Sequence, residues 1–447
     1  MDFLTGNRWE HPLLRFGCHK KGDVCDEHPH GDAKRMSLEL GAAQVLGGLV
    51  TVGWLAIAAH ELTKAQVGDL TYIVTLGGLV GLGTDLGVPL ALAKVACDHD
   101  RLDRGAVYAA VARRLTAGWL AAIILIAVWS SGHHSAHWWL AAIYGVSVVV
   151  STVTSSALAA LRGRAIGIVE AGYQLASQVV LAAGALIALQ LGAGLYGVII
   201  TYVAVDAAGA LVVPRVAQRY IKIDDTVEPA ERSALALRAT LPLVTAEVLG
   251  NAYERIDIAL LGVLKGTAAV ASYVVAYKLY DTVLLPAKAI AASAIAAAGR
   301  GVLTDGRAVA KGLIQRTLSL TVPLVIVVAV AAQTVLSAVF GRGYAKDSVT
   351  LVLLLASAIP GAVLVVITPI VLLAERRLVV RWTAAGLVAN ILANLVLVPL
   401  TGIRGAATAF LLTESGLCLV FWLSLPHPRT RSVPATAPAA PANQPPA

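Results

Sequence analysis

Between Asn251 and Gly266 the sequence reads NAYERIDIALLGVLKG, which puts Glu254, Arg255 and Asp257 within four residues of one another in an otherwise apolar segment beginning near Thr240. A charged side chain at the centre of a bilayer costs roughly 2.5 to 3.5 kcal/mol on insertion scales, so it persists where it is paired or faces a water-filled cavity. In helical register Glu247, Asn251 and Glu254 stand at i, i+4 and i+7 with Arg255 at i+8, forming one polar stripe from which Asp257 points away. Further on, Lys278, Asp281 and Lys288 stand at i, i+3 and i+10, again near one face, beside an aromatic stripe of Tyr273, Tyr277 and Tyr280. The two stripes are expected to meet across a central cavity. Two readings fit them: contact with a charged substrate or ion, or a buried network in which Arg255 and Lys278 neutralise Glu254, Asp257 and Asp281 and fix helix packing.

Other acids stand in apolar surroundings: Asp85, Glu170, Asp206 and Glu414. Facing a cavity, each is a candidate proton or cation site; facing protein, each is structural. Asp206 and Glu414 occupy equivalent sixth and twelfth apolar segments and form a candidate symmetric pair. Pro89, Pro286, Pro323, Pro360 and Pro369 fall within apolar segments, where a missing N–H frees a carbonyl and allows a kink. Near the N-terminus, CHKKGDVCDEHPHGD gathers Cys18, His19, Cys25, His28 and His30, but its Cys-x6-Cys gap is wider than zinc templates use. Those residues, like His133, His134 and His137, are read as solvated, so no metal and no cofactor is expected. No phosphate-loop pattern G-x-x-x-x-G-K-[ST] occurs, nor a G-x-G-x-x-G after a strand-like segment, which excludes ATP hydrolysis by that route.

The elements that must position these residues follow from composition. The 447 residues are 57% hydrophobic and 14% charged, with a mean hydropathy of +0.76. Apolar runs of about 20 residues, the length that spans a bilayer as a helix, recur from Ser37 to Trp422. They make an all-α polytopic membrane protein of about twelve spans, centred near Leu49, Gly83, Ala122, Val150, Val180, Thr201, Leu249, Leu285, Val327, Ala362, Val388 and Leu412. An even count puts both termini on one side. On that arrangement the internal loops carry 19 Lys and Arg on the side of the termini against 5 on the other, so both termini are expected in the cytoplasm. The net charge of +8 is then a topology signal and an attraction to anionic membrane lipid, and no nucleic-acid partner is expected. Cys18, Cys25, Cys97 and Cys418 fall where disulfides are rare.

Residues 1–36 read as a cytoplasmic extension without the apolar core of a signal peptide. The longest internal polar stretch divides the spans six and six, giving bundles over 37–213 and 238–424 joined by a linker at 214–237. Residues 425–447, rich in Pro and Ala, read as a disordered tail. The halves echo each other: GLYG at Gly194 opens the sixth span and GIRG at Gly402 the twelfth, and the second span of each half carries Tyr, an acid (Asp85 or Asp281) and then Pro. Transporters use such repeats, with the binding site between the halves.

RIDIALLGVLKGTAAVASYVVAYKLYDTVLLP resembles the seventh and eighth spans of Wzx-type polysaccharide flippases in the multidrug/oligosaccharidyl-lipid/polysaccharide (MOP) exporter superfamily. AQVGDLTYIVTLGGLVGLGTDLGVPLALAK is similar to that family's second span and ANILANLVLVPLTGIRGAATAF to its eleventh-to-twelfth junction; the resemblance covers roughly Glu39 to Leu423. It implies two six-helix bundles in a MATE-like V, alternating access, and export of a polyprenyl-diphosphate-linked oligosaccharide across the bacterial cytoplasmic membrane, working beside other polysaccharide assembly proteins. On that implication a diphosphate needs cations to leave water, and Arg255, Lys278 and Lys288, with Asn251 and Tyr277, are the candidate substrate contacts. Glu254, Asp257, Asp281 and Asp85 are the candidate ion-coupling acids. The alternatives are a drug or cation antiporter of the same superfamily, for which acids alone would suffice, and a membrane glycosyltransferase, polymerase or ligase, which the short external loops disfavour.

Overall fold

The structure is a computed structural model that describes residues 29–85, 88, 89, 92, 93, 96, 101–131, 138–164, 166–224, 230–298 and 306–425. With no water in a hydrocarbon core, each spanning segment must satisfy its backbone groups internally, and this chain does so as helix. The first half comprises α1 (Pro29–Glu61), α2 (Lys64–Asp85), α3 (Arg104–Ser131), α4 (Trp138–Gly163), α5 (Gly167–Gln190) and α6 (Gly194–Tyr220). The second comprises α7 (Ala230–Lys265), α8 (Thr267–Val283), α9 (Leu285–Ala298), α10 (Gly306–Val330), α11 (Ala332–Phe340), α12 (Ser348–Ala374), α13 (Arg376–Thr401) and α14 (Ile403–Leu423), with a 3-10 turn at Arg342–Asp347 before α12.

Among the described residues ten segments are long and apolar enough to cross a membrane, and α8 with α9 makes an eleventh, bent by 46° at its break. The break has a local cause. Pro286, at the second position of α9, has no N–H to donate back into α8, and Thr282 spends its hydroxyl on the Lys278 carbonyl at 2.7 Å. Among the described residues α7, 36 residues long, does not join these membrane segments, because its apolar character is interrupted by Glu247, Glu254, Arg255 and Asp257. Large apolar side chains stand exposed along the outside, among them Leu46, Ile123, Val327 and Val396, as a lipid-facing surface requires.

α1–α6 pack together as one bundle and α7–α14 as the other, meeting where α2 lies against α7 and α8 and α1 lies against α9. The echo between Gly194 and Gly402 holds in the backbone: both sit just before or at the start of the last helix of their bundle with φ of +55° and +64°, a region a Cβ disfavours. Two features depart from the sequence expectation. A pair of three-residue strands, β1 (Arg101–Asp103) and β2 (Lys222–Asp224), runs parallel with Leu102 opposite Ile223, tying the polar segment after α2 to the one after α6. The stretch 214–237 is helical at both ends, since Pro214 lies inside α6 and α7 begins at Ala230. The extension before Pro29, the tail after Leu425 and the His133, His134 and His137 loop lie outside the described residues.

At the end of the molecule that carries the α1–α2 turn, the bundles are joined by polar contacts. Lys64 Nζ pairs with Asp347 Oδ2 at 2.8 Å and lies 4.7 Å from the centre of the Tyr344 ring. His60 Nε2 meets the Val339 carbonyl at 3.2 Å, and the Tyr72 hydroxyl donates to the Ala259 carbonyl at 3.4 Å.

Candidate functional site

Five ionisable side chains come together halfway along the second bundle's first helices: Glu254 and Arg255 on α7, Lys278 and Asp281 on α8, and Lys288 on α9. Glu254 lies within electrostatic range of all four others, and Lys278 within range of Asp281, Arg255, Lys288 and Glu254. Helical register puts them there: Lys278 and Asp281 are three apart on α8, and Lys288 follows two turns beyond Asp281, across the bend. Lys288 Nζ reaches Asp281 Oδ1 at 2.5 Å, with their side chains 38% and 34% exposed. Glu254 is exposed although it lies well within α7. Glu254, Asp281 and Lys288 are therefore reachable by water, and Arg255 and Lys278 are half-buried beside them.

The cluster faces the first bundle. The Arg255 guanidinium lies against Gly78 of α2, where an added Cβ would stand 2.0 Å from Nη1; only a residue without a side chain admits it. Arg255 also lies within electrostatic range of Tyr144 on α4, which in turn senses Asp206. Leu285, at the head of α9, approaches Gly48 of α1. Arg255 and Lys278 make no ion pair with a described residue, so two of the three cations keep donors for another acceptor.

Asp257 is separate from the cluster, 1% exposed inside the second bundle. Its Oδ2 accepts from the Tyr273 hydroxyl at 3.0 Å and its Oδ1 from Asn394 Nδ2 at 2.9 Å. Asn394 bonds to Asn390 Oδ1 at 2.9 Å, Asn390 Nδ2 donates to Thr413 Oγ1 at 3.2 Å, and the Tyr253 hydroxyl donates to the same Thr413 oxygen at 2.9 Å. The result is a buried hydrogen-bond network between α7, α8, α13 and α14 in which neutral groups donate to the Asp257 carboxylate. Asn394 Oδ1 has no hydrogen-bond partner in it. Nearby, Glu414 is buried beside Gly361 and Tyr280, and its Oε2 is likewise without a partner among the described residues.

The sequence-expected residues thus divide. Glu254, Arg255, Lys278, Asp281 and Lys288 converge. Tyr277 stands within electrostatic range of Glu254 and Asp281 and packs against Tyr273, Tyr280 and Phe410, with ring centres 6.2, 5.2 and 5.9 Å away. Asn251 lies half-buried one turn before Glu254 and Arg255 on α7. Asp85 ends α2, and its side chain lies outside the described residues. Of the other acids, Asp206 accepts a short hydrogen bond from Ser147 in the first bundle. Glu170 is held by Arg162, whose Nε stands 2.6 Å from Oε2, and by Gln174, which gives it a structural role at the start of α5.

Sequence reasoning did not bring Asn390 and Asn394 to Asp257. Their signal is present: two amides at i and i+4 in the apolar stretch ANILANL share one helix face.

Comparison with known proteins agrees with this architecture. The profile of the family described as polysaccharide biosynthesis protein matches residues 35–298, more than half of the chain. No curated protein matches the sequence. Among solved structures, MATE in complex with MaD5 superposes with a TM-score of 0.61 at 16% identity over 88% of this chain and 95% of that one. The Vibrio cholerae MATE transporter VcmN in its bent form gives a TM-score of 0.56 at 14% identity over 89% and 97%. A MOP superfamily transporter from Pyrococcus furiosus, described as having a binding pocket of reverse polarity, gives 0.57 at 15% over 88% and 95%. At these identities the structures share a fold. This chain belongs to the polysaccharide biosynthesis protein family, carries many helices long and apolar enough to cross a membrane, and shares the MATE fold.

Proposed function

We propose that the protein flips a polyprenyl-diphosphate-linked oligosaccharide from the inner to the outer leaflet of the bacterial cytoplasmic membrane, for cell-surface polysaccharide. The observation that carries this reading is the convergence of Arg255, Lys278 and Lys288 between the bundles, with Glu254 and Asp281 as the acids in range of Lys278 and Lys288 among the described residues. Three cations and two acids leave the cluster one positive charge in excess. That balance suits the anionic diphosphate and is unfavourable for a cationic drug. Arg255 offers planar paired donors and the lysines offer point charges. Asn251 and Tyr277 flank the cluster as polar and aromatic contacts. With both termini in the cytoplasm, the end sealed by Lys64 and Asp347 faces outward, and substrate enters from the cytoplasmic leaflet.

Outward movement of an anion is helped by the membrane potential, by about 2.3 kcal/mol per charge per 100 mV. The return step is assigned to a counter-moving proton or sodium ion. Asp257 is its candidate seat, because that carboxylate is buried with the neutral Tyr273 hydroxyl and Asn394 amide as hydrogen-bond partners, and Asn394 Oδ1 beside it has no partner among the described residues. Glu254, Asp281 and Asp85 are the remaining coupling acids, and anionic membrane lipid is the expected surroundings of the basic cytoplasmic loops.

The test is an Arg255 series in cells that depend on this protein for surface polysaccharide. Arg255→Ala is expected to abolish export while folded protein remains in the membrane, and Arg255→Lys to rescue partly, since it keeps the charge and loses the fork. Full export by the Ala variant would show that the cluster serves packing alone. Export of cationic drugs, unaffected by Arg255→Ala, would favour the antiporter.

A further inference from the structure

The Asp281–Lys288 pair joins the two arms of a broken span. Asp281 belongs to α8 and Lys288 to α9, and the chain turns by 46° between them at Leu284. Pro286 removes one helical donor at this bend, while the Leu284 N–H still reaches the Tyr280 carbonyl at 3.2 Å and the Lys288 N–H the Leu284 carbonyl at 3.0 Å. The Asp281–Lys288 pair is the side-chain clasp across the bend, and it is open to water, with both side chains about one-third exposed. Lys288 is also one of the three cations proposed to take the diphosphate. It cannot give its full charge to Asp281 and to a phosphate at once.

We infer that Asp281 is an internal stand-in for the diphosphate: it holds Lys288 across the bend in the empty transporter, the arriving head group takes Lys288 from it, and the freed α8–α9 joint is the first movement of the cycle. The exchange balances in charge. The ammonium leaves one carboxylate oxygen for a phosphate oxygen, and Asp281 gains water or a cation from the exposed side. Release works in reverse, with Asp281 competing for Lys288 so that the anion can leave. Asp281 acts through Lys288, so it is a positioning residue. This inference rests on the proposed diphosphate reading.

The experiment uses the full-length purified transporter and a synthetic short-chain prenyl-diphospho-sugar, measuring equilibrium binding in detergent and turnover in liposomes. Asp281→Asn keeps the shape of the side chain and frees Lys288. It should bind the probe about tenfold more tightly, the scale of one released charge-assisted hydrogen bond, and turn over more slowly because release is hindered. A residue that only fixed the bend would give weaker binding and slower turnover together. In a Lys288→Gln background the gain from Asp281→Asn should vanish, and a gain that persists would overturn the clasp. Should Asp281→Asn not fold, Asp281→Ser is measured instead. It also frees Lys288 and should bind the probe about tenfold more tightly, and binding no tighter than wild type would overturn the inference. The two readings fail differently. Unchanged binding in both Lys288→Gln and Arg255→Ala would remove the diphosphate site itself. Weaker binding in those variants, with no gain in Asp281→Asn, would remove the clasp alone.

Discussion

Removing Lys64 should unseal the end of the molecule that carries the α1–α2 turn. Its ammonium donates to Asp347 at 2.8 Å and lies over Tyr344, and the side chains of the pair are 27% and 9% exposed. A charge-assisted hydrogen bond contributes about 1.5 to 3 kcal/mol when shielded, and exposure of Lys64 lowers that toward the smaller figure. A cation–π contact adds about 0.5 kcal/mol at an exposed site. Lys64→Ala is therefore expected to destabilise the sealed arrangement by about 2 kcal/mol, which at 1.4 kcal/mol per decade is roughly a 30-fold shift in the ratio of sealed to open forms. A ratio of about 99:1 would fall to about 3:1. Lys64 is the better partner to remove, because Asp347 also precedes α12 and its charge favours that helix start. The assay is double electron–electron resonance between spin labels at Glu61 and Arg342, both exposed and on opposite bundles. The Lys64→Ala protein should gain a longer-distance population, and the swap Lys64→Asp with Asp347→Lys should remove most of it. The same distance distribution in wild type and Lys64→Ala would refute the idea that this contact holds the end closed.

Asp257→Ala should leave the Tyr273 hydroxyl without an acceptor, at about 1 to 3 kcal/mol, while the Asn394 amide keeps Asn390 as its partner, and thermal unfolding in detergent should show the loss. Asp257→Asn should fold better than the Ala variant and lose the dependence of transport on a sodium or proton gradient; retained dependence would take the coupling ion elsewhere. Gly78→Ala should barely change stability, since the new methyl meets the far end of a flexible side chain, yet it should displace Arg255 and lower transport severalfold. Reporter fusions at Ala136 and Ser233 should report outside and inside the cell respectively, and the reverse result would end the topology.

The membrane segments were legible because their signal is local: an apolar run of spanning length needs no knowledge of its neighbours. The break near Pro286 and the divergence of Asp257 from Glu254 were legible for the same reason, since both follow from residue type and helical register. Lys64 and Asp347 lie 283 positions apart in polar segments, and nothing in either segment names its partner. Gly78 stands among other small residues in GGLVGLG, and its place beside Arg255 depends on how two bundles meet. Asn390 and Asn394 carried a readable i, i+4 signal, but which acid they serve depends on the packing of α13 against α7. The pairing of β1 with β2 joins segments separated by four helices and left no trace in periodicity.

The central claim is that an anionic lipid-linked sugar crosses the membrane on Arg255, Lys278 and Lys288. Its most direct test is reconstitution of the purified protein in liposomes carrying a prenyl-diphospho-oligosaccharide on one leaflet, with lectin capture of sugar reaching the other. Wild-type protein should move the lipid without ATP and faster under an imposed potential or ion gradient, and the triple variant Arg255→Ala, Lys278→Ala, Lys288→Ala should not move it. Equal movement by the triple variant, or a strict requirement for ATP, would contradict the account.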